Sequence, residues 1–155
     1  MKITSQSFTD NGAIPAEFAF CAPDAKTHCT LGTNRNPHLA WSDVPAGTKS
    51  LVLLCHDPDV PSKPDDVNQE GRTIPASLPR IDFFHWVLTD LDPASGAIAA
   101  GEFSSAVFTL YALDVARCAV DGVFKGADVR AAMQGHVLAE AKMTGKYSLN
   151  PSVKA

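Results

Sequence analysis

Short apolar runs separated by segments that contain proline and glycine dominate the chain, a pattern that predicts a β-rich protein with long loops. The clearest run, residues 50–55, is apolar at both alternating sets of positions, which predicts a central strand covered on both faces. We expect this strand to end at residues 57–61, because Pro58 and Pro61 cannot donate to a β-ladder. Two further strands are predicted at residues 83–89 and 107–113, with weaker signals at residues 2–7, 30–31 and 38–41.

Side chains alternate between the two faces of a strand, so residues 83–89 should divide into two sets. Strict alternation puts Phe83, His85 and Val87 on one face and Phe84, Trp86 and Leu88 on the other. This places the His85 imidazole in an apolar strand, where a titratable ring is costly unless it has a partner.

One helix is predicted at residues 128–143, where apolar residues recur every three or four positions. Asp128 suits the positive N-terminal end of a helix, and Gly145 suits the position after its C-terminus. His136 falls on the apolar stripe and is assigned to packing. A single helix after a run of strands excludes repeated βαβ units, because crossover helices are missing.

Size and charge limit the classes of function. A chain of 155 residues fits one domain, residues 1–155. Its formal net charge of −4, with no run of Lys or Arg, argues against a nucleic-acid partner. No apolar stretch approaches the roughly 18 residues of a transmembrane helix, and the N-terminal sequence lacks the features of a secretory signal. We therefore expect a cytoplasmic protein.

The four cysteines, Cys21, Cys29, Cys55 and Cys118, are too few and too scattered for a disulfide scaffold. Cys21 and Cys29 flank a polar loop and could pair with each other or, with His28, contact a metal ion. The lack of a CxxC motif favours reduced thiols instead.

Candidate chemistry concentrates in the segment His56-Asp57-Pro58-Asp59-Val60-Pro61 and in His85. The prolines stiffen the turn and fix the directions of the two carboxylates. If the strands before Asp57 and around His85 are neighbours, these two side chains converge at one end of the sheet. The alternatives are that Asp57 and Asp59 cap their own turn and that His85 is a core histidine.

No recognisable catalytic set accompanies these residues. The chain has no GxSxG, HExxH, GxGxxG or GxxxxGK[ST] motif, so we assign no catalytic residue, metal or cofactor. One enzyme reading stays open, a metal-dependent hydrolase that uses the oxygen and nitrogen ligands of His56, Asp57, Asp59 and His85.

The chain resembles the phosphatidylethanolamine-binding proteins, and in particular their bacterial branch of Raf-kinase-inhibitor-like proteins. Asp57-Pro58-Asp59-Val60-Pro61 is similar to the family's DPDxP motif. Further similarity covers nearly the whole chain: Phe8, Gly12, Ile14 and Pro15; Asn36-Pro37-His38-Leu39-Ala40-Trp41 with Pro45, Thr48 and Ser50; His85-Trp86-Val87-Leu88; Tyr111-Ala112-Leu113-Asp114; and Gly135-His136-Val137-Leu138-Ala139 in the position of a terminal helix.

This resemblance implies a β-sandwich-like fold around a large central antiparallel sheet, with peripheral helices. It also implies a pocket for a small anion such as phosphate or a phospholipid head group, in a protein of binding and regulatory rather than enzymatic role. Asp57 and His85 would be its polar groups, Asp59 a supporting carboxylate and Pro61 part of its wall. Phe83 and Trp86 are core residues or further wall residues.

An anion beside two aspartates needs compensation, which a protonated His85, a shared proton or backbone N–H groups could supply, whereas an ethanolamine ammonium would favour the carboxylates. The resemblance is also compatible with a protein partner and with a homodimer.

The family's second motif, GxHR, is missing. The segment from Gly101 to Val107 leads directly into Phe108 with no His or Arg between them. We infer that the chain lacks a long segment at the Val107/Phe108 junction, which would remove one wall of the pocket. Such a loss favours a further alternative, a protein-interaction module with a vestigial pocket.

Overall fold

The computed structural model describes residues 1–67, 69, 71–101 and 108–149. Within these residues the chain forms nine strands, a 3-10 turn at Ala16–Phe18 and one α-helix. The strands are β1 (Lys2–Thr4), β2 (Cys21–Asp24), β3 (His28–Leu31), β4 (Leu39–Ser42), β5 (Ser50–Pro61), β6 (Arg80–Leu91), β7 (Ala97–Ile98), β8 (Phe108–Leu113) and β9 (Val137–Met143), and the helix is α1 (Gly126–Ala132).

The described strands form three antiparallel sheets, so the predicted mainly β fold is confirmed. The largest has the order β6-β5-β8-β9, a smaller sheet has the order β1-β4-β7, and β2 and β3 pair as a hairpin. β5 is central as predicted, and its residues 50–55 are buried. Within the described residues, no helix is both long and apolar enough to cross a lipid bilayer.

Two apolar clusters cover the two faces of the large sheet. One lies between the sheets, where Leu51, Leu53 and Cys55 of β5 pack with Leu39 and Trp41 of β4. The other contains Val52 and Leu54 of β5 with Val129 and Met133 from the helical segment. Burial on both faces explains why residues 50–55 are apolar at both alternating sets of positions.

The predicted helix at residues 128–143 is wrong in extent. α1 ends at Ala132, the chain turns through Gly135 with φ of +81°, and β9 follows. β9 pairs with β8 from Leu113↔Val137 to Phe108↔Met143. Glycine takes positive φ without steric cost, so Gly135 was the signal of a reversal inside an apolar pattern that fits a helix by coincidence.

His136 lies in that reversal rather than on a packed helix face, which corrects its assignment to packing. Its ring Nδ1 lies 2.9 Å from Asp114 Oδ1, and the side chain is 46% exposed. The segment from Gly135 to Ala139, expected to resemble a terminal helix, is thus a turn and the start of a strand.

Other predicted strands are present with shifted ends. β5 does not stop before the prolines but continues to Pro61, which lies opposite Arg80 of β6. Of the predicted strand at residues 107–113, β8 covers Phe108–Leu113, and Val107 lies outside the described residues. The weaker signals correspond to β1, β3 and β4.

Candidate functional site

Two bulges in the β5–β6 pair position the candidate site. Cys55 lies opposite Trp86 and His56 opposite Phe84, so β6 has one extra residue, His85, at this point. Further along, Asp57 lies opposite Phe83 and Val60 opposite Ile81, so β5 has an extra residue between Asp57 and Val60. Bulges bend a strand and redirect side chains, and they are frequent beside functional sites.

The bulge at His85 also breaks the strict alternation expected along β6. Trp86 and Leu88 pack with the cluster between the sheets, whereas Phe84 and Val87 pack with the cluster that contains α1 residues. The prediction that Phe84 shares a face with Trp86 and Leu88 is therefore wrong. One inserted residue changes the face to which every later side chain points.

A cavity of about 400 Å³ lies beside these bulges. Its polar lining comes from Asp57, Asp59, His85, Asn34 and Tyr147, and its apolar lining includes Ile14, Phe18 and Phe20. Volumes of roughly 300–1,000 Å³ are typical of small-molecule sites. The cavity is open to solvent, since Pro58, Asp59 and His85 all keep exposed surface.

Asp57 combines the two roles considered from the sequence. Its Oδ1 accepts a hydrogen bond of 2.8 Å from the backbone N–H of Asp59, which is the turn-capping contact. The same side chain lines the cavity. Capping therefore holds the carboxylate in place and leaves its second oxygen for another partner.

His85 lines the cavity next to Asp57. Its ring stands edge-on to Phe83, with ring centroids 4.9 Å apart, and makes no hydrogen bond within the described residues. Partial burial lowers the pKa of His85 from its usual value of 6.5, opposed by the negative charge of Asp57 and reinforced by His56. The ring is therefore mainly neutral at pH 7, when one nitrogen donates and the other accepts.

Three predicted pocket residues lie elsewhere. Pro61 is at the far end of β5. Trp86 packs edge-on against Phe108 between the sheets. Phe83 is 51% exposed, and its ring packs against the ring of His85. None of the three lines the described cavity. The structure thus brings together Asp57, Asp59 and His85 out of the predicted set.

His56 points to the opposite face of the β5–β6 pair. Its Nδ1 lies 3.0 Å from Asp82 Oδ1, and Arg130 of α1 lies 2.5 Å from Asp82 Oδ2 and 3.3 Å from His56 Nε2. A neutral imidazole with its proton on Nδ1 satisfies both neighbours. Arg130 also lies 4.7 Å above the ring of Phe84.

This placement of His56 bears on the metal-site alternative. The four residues proposed for a hydrolase, His56, Asp57, Asp59 and His85, do not converge. Within the part of the chain that the structure describes, no group of three or more His, Cys, Asp or Glu side chains is arranged to hold a metal ion.

Sequence reasoning missed Asn34, Tyr147 and the β2–β3 hairpin as parts of the cavity wall. Asn34 has a positive φ of 49° and a buried Oδ1 that has no hydrogen-bond partner among the residues that the structure describes. The Tyr147 hydroxyl donates to the backbone carbonyl of Cys21 across 126 positions of sequence. Contacts between such distant segments leave no local pattern that could reveal them.

The charges of the lining favour a donor-rich ligand group. Asp57 and Asp59 supply carboxylates, and no Lys or Arg is among the described lining residues. Carboxylates accept strong hydrogen bonds from ammonium groups and repel anions. An anionic group in this cavity would depend on protonated His85 or on backbone donors.

Comparison with known proteins identifies the family. The sequence model of the phosphatidylethanolamine-binding protein family matches residues 4–107 and 104–148. The match is in two pieces that meet at residues 104–107, next to the junction where the GxHR motif is missing. Residues 102–107 lie outside the described residues.

Individual relatives agree with this match. The UPF0098 protein YbhB of Escherichia coli K12 is 33% identical over an alignment of 168 positions, gaps included, which covers 96% of this chain and all of that protein. A UPF0098 protein of Methanothermobacter thermautotrophicus is 33% identical over an alignment of 159 positions, which covers 95% of this chain and 98% of that protein. Both alignments are longer than this 155-residue chain, so these relatives contain residues that it lacks.

Solved structures share the fold. The crystal structure of CT736, a phosphatidylethanolamine-binding protein homolog from Chlamydia trachomatis, superposes with a TM-score of 0.70 at 26% identity, covering 95% of this chain and 96% of that one. YbcL of Escherichia coli has the same TM-score at 20% identity, covering 93% and 95%. The chain belongs to the phosphatidylethanolamine-binding protein family.

Proposed function

We propose that this protein is a cytoplasmic, single-domain binding protein whose cavity takes a small head group that carries both a phosphate and an amine. The observation that supports the proposal is that two bulges direct Asp57, Asp59 and His85 to one open cavity of about 400 Å³. Family membership supports ligand binding in general, and the lining chemistry supports the choice of ligand.

The amine end is assigned to the carboxylates. Asp57 uses one oxygen for the Asp59 N–H and has a second that faces no cation among the described residues. A hydrogen bond between charged partners contributes about 1.5–3 kcal/mol, more than a neutral one. An ammonium group in this position would also offset one of the two negative charges of the adjacent carboxylates.

The phosphate end is assigned to His85. A neutral imidazole donates one hydrogen bond to a phosphate oxygen, and a protonated ring adds a full charge. Because the pKa of His85 is lowered, protonation needs acidic pH or the phosphate itself, whose negative charge raises the pKa of a neighbouring imidazole. A phosphate end that keeps its charge should therefore bind more tightly as pH falls and His85 takes up a proton.

Titration of phosphoethanolamine into the wild-type protein, followed by NMR or calorimetry, tests this function. Asp57→Asn should weaken binding by roughly ten- to hundredfold, because the charge is removed. The amide oxygen of Asn can still cap the Asp59 N–H, which preserves the turn. Asp43→Asn is the matched control, since Asp43 pairs with Lys2 and does not line the cavity. Equal binding by wild type and Asp57→Asn would refute the assignment.

Inorganic phosphate and ethanolamine, titrated separately, show which end dominates. We expect both to bind more weakly than phosphoethanolamine, with His85→Gln reducing the affinity for phosphate and Asp57→Asn the affinity for ethanolamine. Phosphate binding that does not change in either variant would place the anion elsewhere.

A protein-interaction role is the second candidate, and the missing GxHR motif favours it. Exposed Phe20 lies on the cavity lining and exposed Leu31 on the adjoining hairpin, and both could contact a regulatory partner or a second copy of the chain. Absence of binding by all three small ligands, together with capture of a partner that Phe20→Ser abolishes, would support this candidate over the first.

A further inference from the structure

The β2–β3 hairpin carries two thiols on one face. Cys21 lies opposite Leu31, and Cys29 lies opposite Pro23. Residues two apart on a strand share a face, so Cys21 and Cys29 are diagonal neighbours on the same face of the hairpin. Two-stranded ribbons twist strongly, which changes the separation of diagonal pairs.

The two thiols are close enough to interact. The neighbouring Cys29 thiol raises the pKa of the Cys21 thiol, and partial burial adds to this effect. Both residues are partly exposed, whereas Cys55 and Cys118 are buried. A soluble oxidant therefore reaches the hairpin pair before the other two cysteines.

The hairpin is free to adjust to a covalent bond. β2 and β3 hydrogen-bond as strands only to each other among the described strands, so a small shift does not disturb the main sheet. Disulfides require Cα atoms within about 7 Å, and diagonal neighbours lie about 7–8 Å apart, so closing the bond needs a small shift of the hairpin backbone.

The pair also lies at the cavity. Cys21 is a lining residue, and its backbone carbonyl accepts the 2.8 Å hydrogen bond from Tyr147, another lining residue. A cross-link between β2 and β3 would stiffen this wall.

From the shared hairpin face and the partial exposure of both thiols, we infer that Cys21 and Cys29 are a redox modification site that closes to an intramolecular disulfide on exposure to a peroxide.

The chemistry balances with hydrogen peroxide as the oxidant. One thiolate attacks a peroxide oxygen, the O–O bond breaks, and the released hydroxide takes a proton to become water, leaving a sulfenic acid. The second thiol then attacks the sulfenic sulfur, forming the S–S bond while the S–O bond breaks and a second water leaves. Two electrons pass from the sulfurs to the peroxide. Since thiolates are the nucleophiles, the rate should rise with pH.

Mass spectrometry of the intact native protein after mild peroxide treatment tests the inference. We expect a loss of about 2 Da, the two thiol hydrogens, that is reversed by dithiothreitol. Cys21→Ser and Cys29→Ser should each abolish this loss. Cys55→Ala is the matched control and should keep it.

Peptide mapping gives a second measurement on the wild-type protein, independent of how the variants fold. Lys26 lies between the two cysteines and Arg35 follows them, so trypsin separates Cys21 from Cys29 into two peptides. Digestion without a reductant should yield these peptides joined, and reduction should release them.

Three results would overturn the inference. They are a 2 Da loss that persists in Cys21→Ser, oxidised protein in which the two tryptic peptides stay separate, and a cross-link that joins two chains instead of one. None of these depends on whether the cavity binds phosphoethanolamine, so the redox site and the proposed function can fail separately.

Discussion

Each face of the β5–β6 pair carries a histidine and an aspartate, but the surroundings of the two pairs differ. His56 and Asp57 are adjacent in β5 and point to opposite faces. On one face His56 is enclosed by Asp82 and Arg130, and its side chain is only 16% exposed. On the other face Asp57 and His85 share an open cavity, and no cation among the described residues pairs with them.

The difference lies in what covers each face. α1 supplies Arg130 to the His56 face, and Gly126 of α1 lets the helix approach Phe84 closely, since a Cβ there would lie 2.0 Å from the Phe84 ring. On the cavity face, segments from the hairpin and from residues 145–149 line the sides of the cavity and leave Asp57 and His85 open to solvent. A histidine and an aspartate indicate a ligand site only where no other element satisfies them.

The largest expected effect comes from deleting single residues of β6. Deleting His85 removes the bulge and restores regular alternation, so Trp86, Val87 and Leu88 keep their faces. Deleting Val87 moves Leu88 to the wrong face of the sheet. We expect the His85 deletion to keep a cooperative unfolding transition in urea. The Val87 deletion should lose this transition.

The comparison of these two deletions is its own control, because each removes one residue from the same strand. If the Val87 deletion unfolds at the same urea concentration as the His85 deletion, the bulge does not set the faces of β6.

A smaller effect is expected for Arg130→Met on the enclosed face. The substitution removes the ion pair with Asp82 and the contact with Phe84, which are each worth up to about 1 kcal/mol at partly exposed positions. We expect a loss of about 1 kcal/mol in the free energy of unfolding, measured by urea denaturation.

Arg117→Met is the matched control, because Arg117 pairs with Asp121 at a more exposed position. Its effect should stay within about 0.5 kcal/mol. Equal losses in the two variants would mean that enclosure adds nothing to the Arg130 pair.

The smallest effect is expected from pH, and the two faces should respond in different ranges. The unfolded chain takes up a proton at His85 near pH 6.5 and the folded chain at lower pH, so stability falls as pH drops below 6.5. Arg130 lowers the pKa of Asp82 below 3.8, so the stability from this carboxylate is lost only as pH falls below 3.8.

Urea unfolding of wild type, His85→Gln and Asp82→Asn between pH 7.5 and pH 3 separates the two groups. His85→Gln should remove the decline that begins near pH 6.5 and leave the acidic one. A decline near pH 6.5 that His85→Gln does not change would assign it to another histidine.

Much of the fold could be predicted from the sequence. Residues 50–55 are apolar on both faces, which predicts a central strand. The DPDxP motif marks the carboxylates of Asp57 and Asp59, which line the cavity. The segment around Gly135 shows where such reasoning fails. Its apolar spacing fits a helix, and only the pairing of β9 with β8 shows that Val137–Met143 is a strand.

By itself, then, the sequence determined the strands β5, β6 and β8 of the main sheet, the family and the chemical types of Asp57, Asp59 and His85. Only the tertiary structure decided which of them meet. Bulges depend on register between strands, and register is set by packing on both faces of the sheet. Local pattern therefore could not show that His56 pairs with Arg130, nor that Tyr147 and Cys21 complete the wall beside Asp57.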